Sequence, residues 1–364
     1  MVLLIRLVGR NFPHDFLQIT ERTPMTESRP RLTPAIADVR RAVREGFEAA
    51  GLQSGDLVLV ACSGGADSMA LAAATAFEAP RYLDGLNFAA AVIDHQMQTG
   101  SAEVAAETAS KLSGLGFAQV VVRKIQVGTD GGPEAAARSA RYEALDEIAE
   151  ELGANAILLG HTLNDQAETV LLGLARGSGA RSLNGMAIVS GNYLRPILGI
   201  TGETTEAFCA DSGIEIWQDP MNKDESYTRV RVRKNLLPAL ETELGPGIAE
   251  ALARTADTLR EDDEVLSELA LDAYKKVAQE RATQIDIGVQ DFKNLPLAIR
   301  HRVIALAAVV LQAPMLARVH MLAIDELVDS WHGQKPLTLP GIRVERTGET
   351  LALHTTKTLK TGAC

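Results

Sequence analysis

The sequence predicts an α/β protein in which a doubly wound, Rossmann-like parallel sheet precedes a smaller, mostly helical C-terminal domain. Short, uninterrupted apolar runs, typical of strands buried on both faces, alternate with stretches of helical periodicity. This alternation favours a parallel sheet with right-handed crossovers. Near residue 240 it gives way to a long helical pattern of mixed charge, which indicates a second domain.

Taken in order along the chain, the elements divide it into three parts. Residues 1–34 are interpreted as a disordered N-terminal extension, 35–240 as the first domain and 241–364 as the second. The predicted strands of the first domain cover 56–62, 86–94, 118–127, 156–161 and 193–198. Its predicted helices cover the stretch after Pro34 and residues 68–79, 101–116, 132–153 and 163–177. The second domain is predicted to hold a long helix over 249–280, a helical region over 292–330 and a hairpin over 335–354.

Composition limits the classes of protein that the chain can belong to. A hydrophobic fraction of 46% with only 4% aromatic residues predicts aliphatic cores. The net charge of −11 argues against a generic polyanion binder but leaves room for a local basic patch. Cys62, Cys209 and Cys364 are too scattered for a disulfide framework or a zinc site and fit a reducing cytoplasm. No apolar stretch is long enough to predict a membrane helix, so no membrane association is expected.

The segment "ACSGGADSMAL" places a small polar turn directly after the first predicted strand. Gly64 and Gly65 allow positive φ and leave room for phosphate oxygens, and the N–H groups of 63–68 adjoin the positive end of the next helix. Asp67 would repel a bare phosphate, so it indicates a Mg²⁺ partner or the orientation of another substrate. The alternative is an ordinary strand–helix turn.

This motif, SGGADS, resembles the PP-loop of the N-type ATP pyrophosphatases, which cleave ATP between its α- and β-phosphates. The resemblance implies an adenine nucleotide alpha hydrolase-like fold, with ATP and Mg²⁺ as cofactors. Asp94 matches a position that lies beside the adenosine in that superfamily, although a simple strand-terminating Asp is the alternative. The implied ATP-binding residues are Ser63, Gly64, Gly65, Ala66, Asp67, Ser68, Asp94, Arg138 and Gly160.

A second segment, "GHTLNDQAETVLLGLARGSGARSLNGM" (160–186), resembles the signature of the tRNA(Ile)-lysidine synthetase family. His161, Asp165 and Glu168 fall on one face of the predicted helix, where they are able to deprotonate an ammonium group, hold Mg²⁺ or bind a cationic substrate. The alternative is a helix start with helix-favouring acids and a capping His. This chain has Thr162 where the family pattern has a second histidine.

The helix "PEAAARSARYEAL" (133–145) also resembles that family. Arg138 and Arg141 lie three residues apart, and the resemblance implies that Arg141 acts on the activated intermediate. A guanidinium suits charge that develops on an α-phosphate. The alternative is a pair of solvent-facing arginines that bind Glu134 or Glu143.

The segment 217–240 carries the densest basic cluster of an otherwise acidic chain and resembles a further family motif. Such a cluster suits tRNA phosphates, and a buried ion-pair network with the nearby Asp residues is the alternative. The implied substrate or tRNA contacts are Glu168, Arg176, Asp219, Asn222, Asp224, Arg229, Arg231 and Arg233.

The resemblance implies that ATP adenylylates the C2 carbonyl oxygen of the wobble cytidine in tRNA(Ile) with a CAU anticodon. L-lysine then displaces AMP through its ε-amine, which gives lysidine, AMP and pyrophosphate. Asp67, Arg141, His161 and Asp165 are the implied catalytic residues. There are two alternatives. One is another PP-loop tRNA-modifying enzyme such as a thiolase, although the sequence has no CxxC motif, and the other is a non-catalytic ATP-binding module. A homodimer is left open.

Overall fold

The computed structural model describes residues 32–96, 100–126, 128, 133–177 and 179–356, so most of the interpreted extension and Cys364 lie outside the described residues. The helices are α1 Pro34–Ala49, α2 Ala66–Glu78, α3 Ser101–Gly114, α4 Pro133–Leu152, α5 Leu163–Arg176, α6 Gly202–Asp211, α7 Thr228–Arg231, α8 Leu237–Leu244, α9 Ile248–Val277, α10 Val289–Lys293, α11 Leu297–Val310 and α12 Arg318–Asp329. The strands are β1 Leu57–Ala61, β2 Asn87–Asp94, β3 Val120–Lys124, β4 Ala156–Leu159, β5 Val189–Ser190, β6 Tyr193–Leu194, β7 Ala278–Arg281, β8 Gln284–Gly288, β9 Leu337–Leu339, β10 Ile342–Thr347 and β11 Thr350–Thr355.

The first sheet confirms the predicted α/β class. Its strand order is β3-β2-β1-β4-β6-β5, and all neighbours are parallel except β5 and β6. Helices cover both faces because side chains of β1 alternate between them: Val58 and Val60 pack with α1 and α2, whereas Leu59 and Ala61 pack with α4. The sheet is therefore doubly wound.

The predicted fifth strand over 193–198 is wrong in length. Only Tyr193 and Leu194 pair with β4, and β5 adds an antiparallel neighbour that the sequence pattern does not reveal. Pro196 has no N–H group to continue the ladder, so the strand ends before it. A two-residue strand leaves no periodicity to detect.

The carboxyl ends of β1, β2 and β4 meet at one edge of the sheet, with β1 pairing to both neighbours. Open α/β sheets bind their ligands at this edge, where the strand order changes direction. The topology thus brings the segments after Ala61, Asp94 and Leu159 together.

The C-terminal region contains the predicted long helix and more sheet than predicted. Helix α9 ends at Val277 rather than 280, and the chain enters a five-stranded antiparallel sheet of order β7-β8-β11-β10-β9. The predicted hairpin over 335–354 supplies β9 to β11, but β7 and β8 were not predicted. Pairing of Ile285 and Ile287 with β11 buries both side chains completely, so tertiary contacts decide this hairpin.

Helix α9 packs against α5 and α8 of the first domain as well as against α11. The domain boundary near 240–248 stays a prediction. Within the described ranges, every helix is too short or too polar to cross a membrane.

Candidate active site

The turn after β1 is shaped by one glycine with a left-handed backbone. Gly64 has φ 86°, and a Cβ there would lie 2.6 Å from Thr108 Oγ1, so only glycine fits. Helix α2 begins at Ala66, two residues earlier than predicted, and its N-cap Gly65 has no side chain to cap it. A helix start of this kind leaves backbone N–H groups that suit an anion, and the phosphate site stays a prediction.

Ser68 holds the turn closed from within. Its Oγ accepts a hydrogen bond from Ser63 N at 3.1 Å and donates to Gly65 O at 3.0 Å. The hydroxyl hydrogen of Ser68 is therefore used inside the loop, and Ser63, which is exposed, offers the freer hydroxyl.

Two adjoining cavities open at this edge of the sheet. The smaller, of about 340 Å³, is lined by the ends of β1 and β2, and the larger, of about 1170 Å³, by the starts of α2, α5, α6 and α9. The turn residue Ser63 and the side chain of Arg141 line both. A nucleotide bound to the turn would therefore reach from the smaller cavity into the larger one.

The smaller cavity offers polar atoms that have no protein partner among the described residues. Asp94 Oδ1 accepts a hydrogen bond from Gln96 N at 2.9 Å, but its Oδ2 is buried and unpaired. His95 Nδ1 is also buried and unpaired. Burial lowers the pKa of this histidine, and the positive charge of Arg141 lowers it further. Unpaired buried groups in a cavity wall fit a ligand with a polar edge.

Arg141 lies between the cavities without a carboxylate partner among the described residues. Burial lowers the pKa of its guanidinium, which remains charged. Arg138 is exposed, and its guanidinium lies 5.0 Å from the centre of the Tyr142 ring. Neither arginine pairs with Glu143, and the side chain of Glu134 lies outside the described residues. Arg141 is therefore available to an anionic ligand.

His161 follows β4 and is neutral. Burial lowers its pKa to about 3, Asp165 acts against this shift, and its buried Nδ1 has no hydrogen-bond partner within the described part of the chain. Gly160 lets the strand end approach α2 closely, since a Cβ there would lie 3.1 Å from Ser68 N. The histidine is thus held beside the first turn of α2, able to accept a proton or hydrogen bond.

Asp67 lies in the first turn of α2 and is hydrogen-bonded to Thr205 of α6. Burial raises the pKa of Asp67 to about 6, and the bond from Thr205 acts in the opposite direction. Across the described residues, no cluster of three or more His, Cys, Asp or Glu side chains could hold a metal ion. Mg²⁺ commonly takes one or two carboxylates together with substrate phosphates, and Asp67 beside a phosphate-binding turn fits that pattern.

Asp165, in the first turn of α5, is held through both carboxylate oxygens. Oδ2 accepts from Thr162 N at 2.9 Å, and Oδ1 accepts from Arg233 Nη2 at 2.9 Å. This arrangement fixes a negative charge next to His161.

Glu168 is completely buried one turn further along α5, where two arginines bind it. Arg233 Nε lies 2.5 Å from Oε1 and Arg229 Nε 3.3 Å from Oε2. Burial raises the pKa of Glu168, and both guanidiniums oppose that shift. A buried ion-pair network, the alternative for the basic cluster, is thus present for these two arginines, but its buried carboxylate is Glu168 of α5 and not one of the nearby Asp residues.

Part of the basic cluster lies in an irregular helix. Residues Val232–Leu236 form a π-helical turn between α7 and α8, and Arg233 lies within it. Arg231 points elsewhere: its Nη1 donates to the carbonyls of Glu225 and Ser226 at 2.6 and 2.8 Å. Such π turns frequently mark functional sites.

Most predicted site residues meet around the two cavities, and five do not line them. Arg176 is exposed at the far end of α5, Arg231 and Asp224 are exposed, Glu168 lies beneath its arginines, and Gly64 is buried within the turn. The cavity-lining members are Ser63, Gly65, Ala66, Asp67, Ser68, Asp94, Arg138, Arg141, Gly160, His161, Asp165, Asp219, Asn222, Arg229 and Arg233.

Sequence reasoning missed Thr205, Trp217 and the role of Thr162. Thr205 lies on α6, which was not predicted because its polar sequence lacks an apolar stripe; the capping Thr201 was the available signal. Trp217 lines both cavities, and its backbone N–H donates to Gly64 O at 2.9 Å.

Comparison with known proteins agrees with this geometry. A family model described as a PP-loop domain matches residues 37–240, and one described as the TilS substrate binding domain matches residues 288–351. The tRNA(Ile)-lysidine synthase of Leifsonia xyli is 54% identical over 308 residues, which cover 83% of this chain and 91% of that protein. The chain belongs to the tRNA(Ile)-lysidine synthase family.

Other members of the tRNA(Ile)-lysidine synthase family are similar over comparable lengths. The protein of Thermobifida fusca is 50% identical over 316 residues, 85% of this chain and 94% of its own. Among solved structures, U34-tRNA thiolase NcsA from Methanococcus maripaludis superposes with a TM-score of 0.51 at 17% identity, covering 62% of this chain and 80% of its own, which shows the shared fold alone. Membership in this lysidine synthase family confirms the predicted family, its use of ATP and its class of carbon–nitrogen ligase.

Proposed function

We propose that this protein is a tRNA(Ile)-lysidine synthase that joins L-lysine to the wobble cytidine of tRNA(Ile) with a CAU anticodon. The observation that carries the proposal is the continuity of the phosphate-binding turn with a larger cavity that contains His161, Asp165 and Arg141. An adenylylating enzyme needs ATP and two further substrates to meet at one place, and this cavity adjoins the turn directly.

In the first step, the C2 carbonyl oxygen of cytidine attacks the α-phosphate of ATP and pyrophosphate leaves. The N–H groups at the start of α2 and Ser63 bind phosphate oxygens, while Asp94 contacts the adenosine in the smaller cavity. Arg141 stabilises the negative charge on the α-phosphate. Mg²⁺, with Asp67 as its protein ligand, would neutralise phosphate charge when bound.

In the second step, the lysine ε-amine attacks C2 and AMP leaves. The amine is nucleophilic only after it loses a proton. His161 and Asp165 are placed to orient or deprotonate it, and the charge of Asp165 acts against the burial that lowers the pKa of His161. The pairing of Asp165 with Thr162 and Arg233 suits an orienting group.

Transfer RNA would reach the larger cavity across its rim and the C-terminal domain. Arg138 is exposed at that rim, whereas Arg229 and Arg233 already bind Glu168 and would contribute mainly by shaping the site. We place the activity in the cytoplasm, where ATP, lysine and tRNA are available. A homodimer stays a prediction.

The test combines purified protein, ATP, Mg²⁺, labelled lysine and tRNA(Ile) with a CAU anticodon. We expect label in the tRNA, with AMP and pyrophosphate released in equal amounts. Elongator tRNA(Met), which carries the same anticodon, is the control for tRNA identity. Folded protein that binds ATP without transferring lysine would contradict the proposal, and ATP binding without pyrophosphate release would indicate a non-catalytic module.

A further inference from the structure

Thr162, which stands where the family pattern has a second histidine, contacts the carboxylate of Asp165 twice. Thr162 N donates to Asp165 Oδ2 at 2.9 Å, and Thr162 Oγ1 lies 3.2 Å from the same oxygen. An ionised carboxylate only accepts hydrogen bonds, so the hydroxyl is the donor. Thr162 is 2% exposed, which excludes solvent from this contact.

The second oxygen of Asp165 is held from the opposite side. Arg233 Nη2 donates to Oδ1 at 2.9 Å, and the same guanidinium binds buried Glu168. Arg233 therefore fixes one oxygen, while Thr162 determines the direction of the other. A carboxylate with both oxygens fixed cannot rotate away from His161.

We propose that Thr162 is a positioning residue for lysine transfer, whose hydroxyl holds Asp165 in the orientation that His161 and the amine require. The inference rests on the proposed function and adds a role at a position where this chain departs from the family pattern. The charge of Asp165 acts against the burial that lowers the pKa of His161, so a turned carboxylate would weaken proton acceptance. The adenylylation step does not depend on this contact, which makes the two steps separable.

The competing explanation is that Thr162 only caps α5. Thr162→Val removes the hydroxyl at similar volume, and Thr162→Gly removes it while keeping a residue that caps a helix almost as well as threonine. Thr162→Ser keeps the hydroxyl. Thr33→Val is the matched control, because Thr33 caps α1 through a 3.3 Å bond to Ile36 N, away from the cavities.

We expect Thr162→Val and Thr162→Gly to lower kcat for lysine transfer roughly tenfold, as a small misplacement of catalytic groups does. Two measurements should stay at wild-type values: the KM for ATP, and the rate of pyrophosphate release with tRNA when lysine is absent. Thr162→Ser should restore transfer to within about twofold, and Thr33→Val should lose stability without losing activity.

Two results would overturn the inference. One is a Thr162→Gly protein with wild-type transfer, which would leave capping as the whole role. The other is an equal loss of pyrophosphate release and transfer, which would indicate general damage. If the wild-type protein itself transfers no lysine, the proposed function fails first and this inference fails with it.

Discussion

Thr205 Oγ1 is hydrogen-bonded to Asp67 Oδ1, which connects helix α6 to the first turn of α2. The same hydroxyl lies 2.8 Å from Gly202 O and has a single hydrogen to donate. When Asp67 is ionised, Thr205 donates to it; when Asp67 is protonated, it donates to Thr205, which then donates to Gly202. The completely buried threonine thus satisfies the carboxyl in both protonation states.

Replacing Thr205 with valine should shift the pH dependence of the first chemical step. The bond from Thr205 lowers the pKa of Asp67, so its loss raises that pKa further above about 6. Because pyrophosphate release needs ionised Asp67, the acidic limb of its pH–rate profile should move to higher pH by up to about one unit. Thr204→Val on the same helix is the control. If the acidic limb of the pH–rate profile stays at the wild-type pH in Thr205→Val, the proposed role of this bond is wrong.

Replacing Asp67 should separate activity from stability. Asp67→Ala should lower adenylylation at least about 100-fold and leave tRNA binding within about twofold, since phosphate contacts position tRNA elsewhere. The pKa of Asp67 is raised to about 6 by burial, so the folded protein binds its proton more tightly than the unfolded chain and loses stability as pH rises from about 4 to about 6.

Asp67→Asn should therefore be more stable than wild type at pH 7, because it removes a carboxylate whose ionisation is penalised by burial. Urea unfolding at pH 7 measures this difference, and pyrophosphate release measures the loss of activity. An Asp67→Asn protein that is both active and less stable would refute both parts of the prediction.

His161 should make folding sensitive to acid. Its pKa in the folded protein is about 3, below the ordinary 6.5, so the unfolded chain takes up a proton first as pH falls. Stability contributed by neutral His161 is complete above about 6.5 and decreases toward pH 3, by at most about 1.4 kcal/mol per pH unit. Urea unfolding at pH 7 and pH 5.5 should show a smaller decrease for His161→Gln than for wild type. His332→Gln controls for the loss of an exposed histidine.

The network around Glu168 predicts a stability defect with a specific rescue. Arg233→Gln leaves a completely buried carboxylate with one weaker partner and should cost roughly 2 kcal/mol in the free energy of unfolding. Adding Glu168→Gln removes the uncompensated charge and should recover part of that loss. Arg231→Gln, an exposed neighbour, should change stability by less than about 0.5 kcal/mol. Equal losses for Arg231→Gln and Arg233→Gln would contradict the network.

The parts of the fold with strong local signals were predictable from sequence. Strands β1, β2 and β4 are largely apolar runs, and the residues that follow or end them predict Ser63, Asp94 and His161 at one sheet edge. Helix α6 and the β7–β8 hairpin were not predictable, because their stability comes from residues distant in the chain. The capping Thr201 was the only signal for the helix that carries Thr205, and it does not indicate that Thr205 contacts Asp67.

The contacts of the charged residues were also predictable only in part. The motif spacing indicated that Asp165 and Glu168 share a helix face, but it left open whether Arg229 and Arg233 would meet a nucleic acid or these carboxylates. Burial decides that question: Glu168 has no exposed side-chain surface and needs cationic partners. No pattern in one sequence encodes which of several acids becomes buried.

The π-helical turn over 232–236 makes chain length itself a constraint on this protein. Arg229 and Arg233 lie four residues apart, so they share one helix face and reach Glu168 together. Each residue added to or removed from a regular helix turns everything beyond it by about 100°. A chimera that loses the extra residue of the π turn would keep every charge and still turn α8 relative to the two arginines, so crossover points belong outside 228–244.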